Sequence, residues 1–205
     1  MGRESKRDRI LGTAEREFLE HGFDGTSIDT IVEHAGGSKS TVYAHFRDKS
    51  ILFAEALAAI RREIDFSLSH FHAASPPATT EALILLSVEL ISVQYHQRAL
   101  HLLRVIIAEA DRFPDVARQY YEEGPAELVR QISMFFDTCR RSGARFSGTP
   151  EHAAELLVSL SQGPQQMRIL MGLEPPPDPE TTVAYAESMV ERLVNLLNWS
   201  DAPTA

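Results

Sequence analysis

The chain is poor in several of the residues that define whole classes of protein. Among 205 residues there is one cysteine, Cys139, and one tryptophan, Trp199. A lone thiol cannot build a disulfide framework, which excludes the small cross-linked secreted scaffolds. No apolar run approaches the roughly 18 residues that a membrane-crossing helix needs, and the N-terminal sequence MGRESKRDRI contains no apolar signal region. Together with the single thiol, this predicts a cytoplasmic protein. Strand-like alternation is also missing. The eight histidines do not fall at ligand spacing: His70 and His72 are two apart and His96 and His101 five apart, so neither pair shares a helix face. No metal and no cofactor are expected. Residues 36–40, GGSKS, lack the Gly-Lys-Ser/Thr order of a phosphate loop, and no nucleophile motif is present. No catalytic residue is assigned, and nothing in the sequence asks for an enzyme.

Positive charge is scarce as well. Twenty Lys and Arg face 29 Asp and Glu, a net charge of −9. The imbalance is uneven: residues 1–50 hold eight basic and nine acidic side chains, so almost all the excess acid lies in the remainder. Arg3, Lys6, Arg7 and Arg9 cluster at the start, either as an arm for a phosphate backbone or as an ordinary solvated helix start. An acidic body weakens sequence-indifferent attraction to nucleic acid and leaves affinity to a few specific contacts.

What is abundant is helix. Apolar residues recur every three or four positions along most of the chain, which predicts an all-α fold. A first helix over about Ser5–His21 buries Ile10, Ala14 and Phe18, and Gly22 ends it. Thr26 is positioned to cap a second helix with Asp29 at its third position, and Ile28, Ile31, Val32 and Ala35 form its apolar stripe. Gly36 and Gly37 stop that helix, because glycine takes the left-handed conformation without steric cost. Ser38 then caps a third helix in which Val42 and Phe46, four apart, point inward. Lys39, Ser40, Thr41, Tyr43 and His45 are left outside, a dense set of hydrogen-bond donors. Two capped helices across a glycine turn describe a helix-turn-helix, whose second helix enters the major groove. Lysine can reach guanine O6 and N7, and hydroxyl and imidazole groups can hold phosphates. A plain helical hairpin with a solvated polar face is the alternative.

The stretch resembles the DNA-binding domain of the TetR/AcrR family of one-component bacterial transcriptional regulators. The residues that carry the likeness are Phe18, Gly22 and Phe23, the Thr26-Ser27 start, Ala35-Gly36-x-Ser38-Lys39, Val42-Tyr43-Ala44-His45-Phe46 and Lys49. They span about the first quarter of the chain, and the helical remainder is compatible with the family. By that resemblance Lys39, Ser40 and Thr41 face bases, while Thr26, Ser38, Tyr43, His45 and Lys49 hold phosphates of a double-stranded, pseudo-palindromic operator. The sequence departs from the family at Gly37, where an apolar residue is usual, and this bears on the tilt of the recognition helix.

Beyond this motif a long helix begins near Asp48 and carries Ile51 to Phe71, broken by the SPPATT run from Ser75. We place the domain boundary on it: residues 1–50 as a helix-turn-helix domain, residues 51–205 as a larger helical domain for effector binding and dimerisation. Further starts or breaks are expected near Gln97, at Phe113-Pro114 and at Gly124-Pro125. A helix opens at Thr149-Pro150, kinks at Gly163-Pro164 and is followed by the stiff EPPPDPE segment, Glu174–Glu180. The last helix carries more apolar faces than one chain covers readily. The resemblance implies that the last two helices pair with a second copy in a four-helix bundle, and Leu156, Leu160, Met189, Leu193 and Leu196 are the interface candidates. It also implies a repressor whose grip on DNA is released by a small-molecule effector among the central helices. Phe66, Leu90, His101, Leu102, Arg104, Tyr120, Tyr121, Phe135 and Met167 are the candidate ligand-binding residues, a mostly apolar set suited to an apolar or aromatic effector. A helical small-molecule-binding protein with a non-functional DNA-binding domain is the competing function.

Overall fold

The computed structural model describes residues 5–64 and 78–202. The expectations for Arg3, Phe66, Leu68, His70, Phe71 and His72, and for the start of the SPPATT break, fall outside the described residues. In order the helices are α1 (Lys6–Gly25), α2 (Ile28–Ala35), α3 (Lys39–His45), α4 (Lys49–Glu63), α5 (Thr80–Gln94), α6 (Gln97–Glu109), α7 (Pro114–Glu123), α8 (Pro125–Arg141), α9 (Pro150–Leu170) and α10 (Pro179–Leu197). Among the described residues the fold is all-α, with one isolated antiparallel bridge between Arg145 and Ser200. Two compact units result, Met1–Asp65 with Arg98–Tyr120, and Phe66–Gln97 with Tyr121–Ala205.

In the first unit Ser5 caps α1 by accepting from the Asp8 N–H, and Ile10, Ala14 and Phe18 line its buried face. Gly22, at φ 68°, breaks the helix and turns Phe23 inward. Phe53 of α4 meets Phe18 and Phe23 edge-on, with ring centroids 5.0 and 5.1 Å away, and Phe113 lies 4.8 Å from Phe23. Each such pair adds about 0.5–1.5 kcal/mol beyond the area it buries. The residues after α5 rejoin this unit through charge. Arg98 bridges Glu15 of α1 at 2.9 Å and Glu63 at 2.8 Å, and Arg112 meets Asp24 at 2.6 Å.

In the second unit α5 packs against α10 and α9, which explains why its sequence is apolar on more than one side. Leu83, Leu86, Leu90 and Ile91 are all inaccessible to solvent. Helix α9 kinks where expected, with Gly163 at φ 38°. The C-terminal residues fold back over the core. Trp199 stacks on Phe146 at 5.5 Å, and Asp201 Oδ1 accepts from both the N–H and the hydroxyl of Thr80, adding from 121 residues away to the cap that Thr79 gives α5. Within the EPPPDPE segment the last two residues are helical: Asp178 caps α10 and Pro179 fills its first position, where the missing N–H costs nothing.

Candidate nucleic-acid interface

Helices α2 and α3 form the two arms of the turn. Their caps differ from expectation at one position. Ser27, not Thr26, caps α2, its Oγ accepting from the Thr30 N–H at 3.0 Å. The Thr26 hydroxyl is engaged elsewhere, donating to Glu17 O at 3.0 Å and Gly22 O at 2.9 Å of α1. Thr26 is only 2% exposed, so its side chain, expected to hold a phosphate, is instead turned inward to close the end of α1. A brace joins α1 to α2, His34 Nδ1 lying 2.7 Å from Oε1 of the buried Glu17.

The turn itself uses both glycines at positive φ, 72° at Gly36 and 117° at Gly37. The second value explains the departure noted above: a side chain at position 37 would be strained in this backbone. Ser38 then caps α3, accepting from the Thr41 N–H at 3.3 Å, and its Oγ also touches the Ser40 and Thr41 hydroxyls at 2.7 and 3.0 Å. Val42 and Phe46 are buried, which fixes the rotation of this short helix.

That rotation leaves Ser38, Lys39, Ser40, Tyr43 and His45 exposed, with Thr41 half-buried. Lys39 Nζ lies 2.8 Å from Asp29 Oδ1 across the turn, and this hydrogen bond, followed by the carboxylate's charge, raises the lysine above its usual pKa. Asp29 was not among the residues singled out as functional. Lys49 sits 4.2 Å above the Phe23 ring, and partial burial lowers its pKa. Of the N-terminal basic cluster, Arg7 is engaged by Glu55 and lies 5.0 Å over the Phe46 ring, whereas Lys6 and Arg9 remain exposed.

The other candidate residues are distributed over both units. In the first, Leu102 is fully buried and His101 and Arg104 are half-buried. Tyr120 lines a small hollow of about 10 Å³, room for a water molecule, with Ala54, Leu57, Ala58, Arg61, Ile106, Val116 and Gln119. Burial pushes its phenol up to about 12. In the second unit Leu90 and Phe135 belong to the core, while Tyr121 and Met167 are exposed. Of the interface candidates, Met189 and Leu193 are already covered by their own chain, Leu156 and Leu160 are half-buried, and Leu196 is 56% exposed.

A small aromatic core that holds a capped, donor-rich helix outward across a glycine turn defines a helix-turn-helix transcriptional regulator. The comparisons with known proteins agree over both parts of the chain. Residues 10–56 match the family described as "Bacterial regulatory proteins, tetR family", and residues 81–195 match "AefR-like transcriptional repressor, C-terminal domain". The HTH-type transcriptional repressor SCO4008 of Streptomyces coelicolor is 26% identical over 173 residues, which is 82% of this chain and 85% of the relative. The AcrR regulator of Shigella flexneri is 43% identical over 49 residues, 24% of this chain and 23% of its own. Among solved structures, a TetR-family regulator from Mesorhizobium loti superposes with a TM-score of 0.76 at 28% identity, covering 94% of this chain and 96% of the other. The flavonoid-responsive regulator FrrA gives a TM-score of 0.72 at 29% identity and covers 98% of both. The chain belongs to the TetR family, and it is a DNA-binding transcriptional repressor.

Proposed function

We propose that two copies of the chain bind a pseudo-palindromic operator in the cytoplasm and leave it when a small molecule binds. The observation that carries this reading is the exposed face of α3, where Lys39, Ser40, Tyr43 and His45 stand together above a helix fixed by Val42 and Phe46. Lys39, Ser40 and Thr41 read base edges, and Ser38, Tyr43, His45 and Lys49 hold phosphates. A C2 dimer supplies two such helices to one duplex. Leu156, Leu160 and Leu196 retain surface for pairing α9 and α10 with their copies, whereas Met189 and Leu193 support that face from beneath.

The effector is apolar or aromatic and is bound without turnover. One observation supports that class: the similar FrrA is described as flavonoid-responsive. Release requires only that the effector prefer the state that does not fit DNA.

Fluorescence anisotropy tests the reading. The protein is titrated into duplex from its own upstream region, or duplex selected from random sequence, beside a scrambled control at two salt concentrations. Tight, salt-sensitive binding to the specific duplex, lost in Lys39→Ala/Tyr43→Ala, is the expected result. Binding no tighter than to scrambled duplex, even after selection, would favour a small-molecule binder whose helix-turn-helix no longer reads sequence.

A further inference from the structure

The lysine best placed to read bases is held by a carboxylate. Lys39 is the first residue of α3 and Asp29 lies in the first turn of α2, and their 2.8 Å contact spans the turn between the two helices. Both side chains are open to solvent, 58% and 70% exposed, and a pair of this kind adds little to fold stability. Its effect belongs on the DNA-facing surface. An unpaired ammonium there is drawn to any phosphate, and the counterions it displaces strengthen binding to every sequence alike. A paired one is different. The Lys39–Asp29 couple has no net charge, so its long-range pull on the duplex is small, and the carboxylate itself repels phosphate oxygens. Lys39 still carries three N–H donors, of which Asp29 accepts one. The remaining donors suit the guanine O6 and N7 acceptors, which act only at short range and in register.

We propose that Asp29 is a specificity-determining residue: by holding Lys39 it suppresses a sequence-indifferent phosphate contact and leaves that lysine to donate where a matching base edge is presented. Asp29 thereby acts as a positioning residue, lowering affinity for wrong sequences more than for the right one, because specificity is a difference between two affinities. The inference rests on the reading of α3 as the base-reading helix.

The test compares wild type, Asp29→Asn, Asp29→Glu, Lys39→Ala and Asp29→Asn/Lys39→Ala on the selected operator and on scrambled duplex across a salt series. Thermal unfolding shows that each variant is folded. Asp29→Asn should bind scrambled duplex about three- to tenfold tighter, with a salt slope steeper by about one unit, while operator affinity rises less and the ratio of the two falls. Asp29→Glu should restore the ratio. In the Lys39→Ala background, Asp29→Asn should leave the ratio unchanged. If it raises scrambled binding equally with and without Lys39, Asp29 is only a repulsive surface charge and the proposal is overturned. An unchanged ratio in Asp29→Asn also overturns it, with the regulator reading intact. A wild-type protein that does not distinguish operator from scrambled duplex overturns both.

Discussion

Tyr95 and Tyr185 converge on one backbone oxygen. The Ser161 carbonyl accepts from the Tyr95 hydroxyl at 2.8 Å and from the Tyr185 hydroxyl at 3.2 Å, and Tyr185 also reaches Leu160 O at 3.0 Å. Both carbonyls lie at the Gly163-Pro164 break, and Leu160 O in particular has no helical donor because Pro164, four residues on, offers no N–H. Burial raises both phenols above the usual tyrosine range, so they stay protonated and able to donate. Tyr95→Phe or Tyr185→Phe should each cost about 1 kcal/mol in urea unfolding. The double variant should cost more than the sum, because the first loss is partly covered by the remaining hydroxyl. Strict additivity would mean that the two tyrosines act independently.

The two lysines of the DNA-facing half should separate by mutation. Lys39→Ala relaxes base preference as well as weakening operator binding. Lys49→Ala weakens binding to all sequences alike and reduces the salt slope by about one unit. Because Lys49 also lies over the Phe23 ring, its loss should lower stability by about 0.5–1 kcal/mol, which calorimetry would register. Equal loss of sequence preference in both variants would contradict the division of roles.

Glu15 makes the first unit sensitive to pH. Burial first, and then repulsion from Glu63, raise its carboxyl above the usual range against the pull of Arg98. The folded chain therefore keeps this proton at a pH where the unfolded chain has lost it. Stability from this group is greatest on the acid side and falls as pH rises through the raised value. In Glu15→Gln that decline should be absent, and urea midpoints at steps from about pH 4 to 7 would show the flattening. A wild-type curve parallel to that of the variant would sink the assignment.

Gly37→Val restores the apolar character usual in the family but places a β-branched side chain at φ 117°. The expected cost is about 1–3 kcal/mol of stability, with weaker operator binding if the turn shifts to relieve it. Gly36→Ala should behave similarly through its own φ of 72°. A stabilised Gly37→Val would show that the turn adopts another backbone at no cost.

Much of this architecture was legible in local pattern. The capping roles of Ser38 and Thr149, the stop at Gly36-Gly37 and the break at Gly163-Pro164 each depend on a few adjacent residues, and each is found where expected. The cap expected at Thr26 falls one residue later, at Ser27, because local pattern does not show that the Thr26 hydroxyl is taken by the carbonyls of Glu17 and Gly22. Other features depend on distant packing. The excess of apolar residues on α10 reads the same whether α5 or a second chain covers them, so Met189 and Leu193 could not be told from Leu196. Nor does any short-range pattern bring Tyr120 beside Leu57, or set Asp29 ten positions ahead of the lysine it holds.

The Asp201 cap also bears on the order in which the protein is made. Thr79 caps the opening turn of α5 locally, accepting from the Ala82 N–H at 3.2 Å, and Thr80 adds bonds to a residue 121 positions further along the chain, while Ala202 donates to the Ala78 carbonyl beside it. The long-range half of this cap can form only after the residues around Asp201 have been made. Its apolar faces, meant for α9 and α10, must stay exposed through most of elongation. The core of the second unit can therefore close only after those helices leave the ribosome, and until then these faces are open to aggregation or chaperone capture.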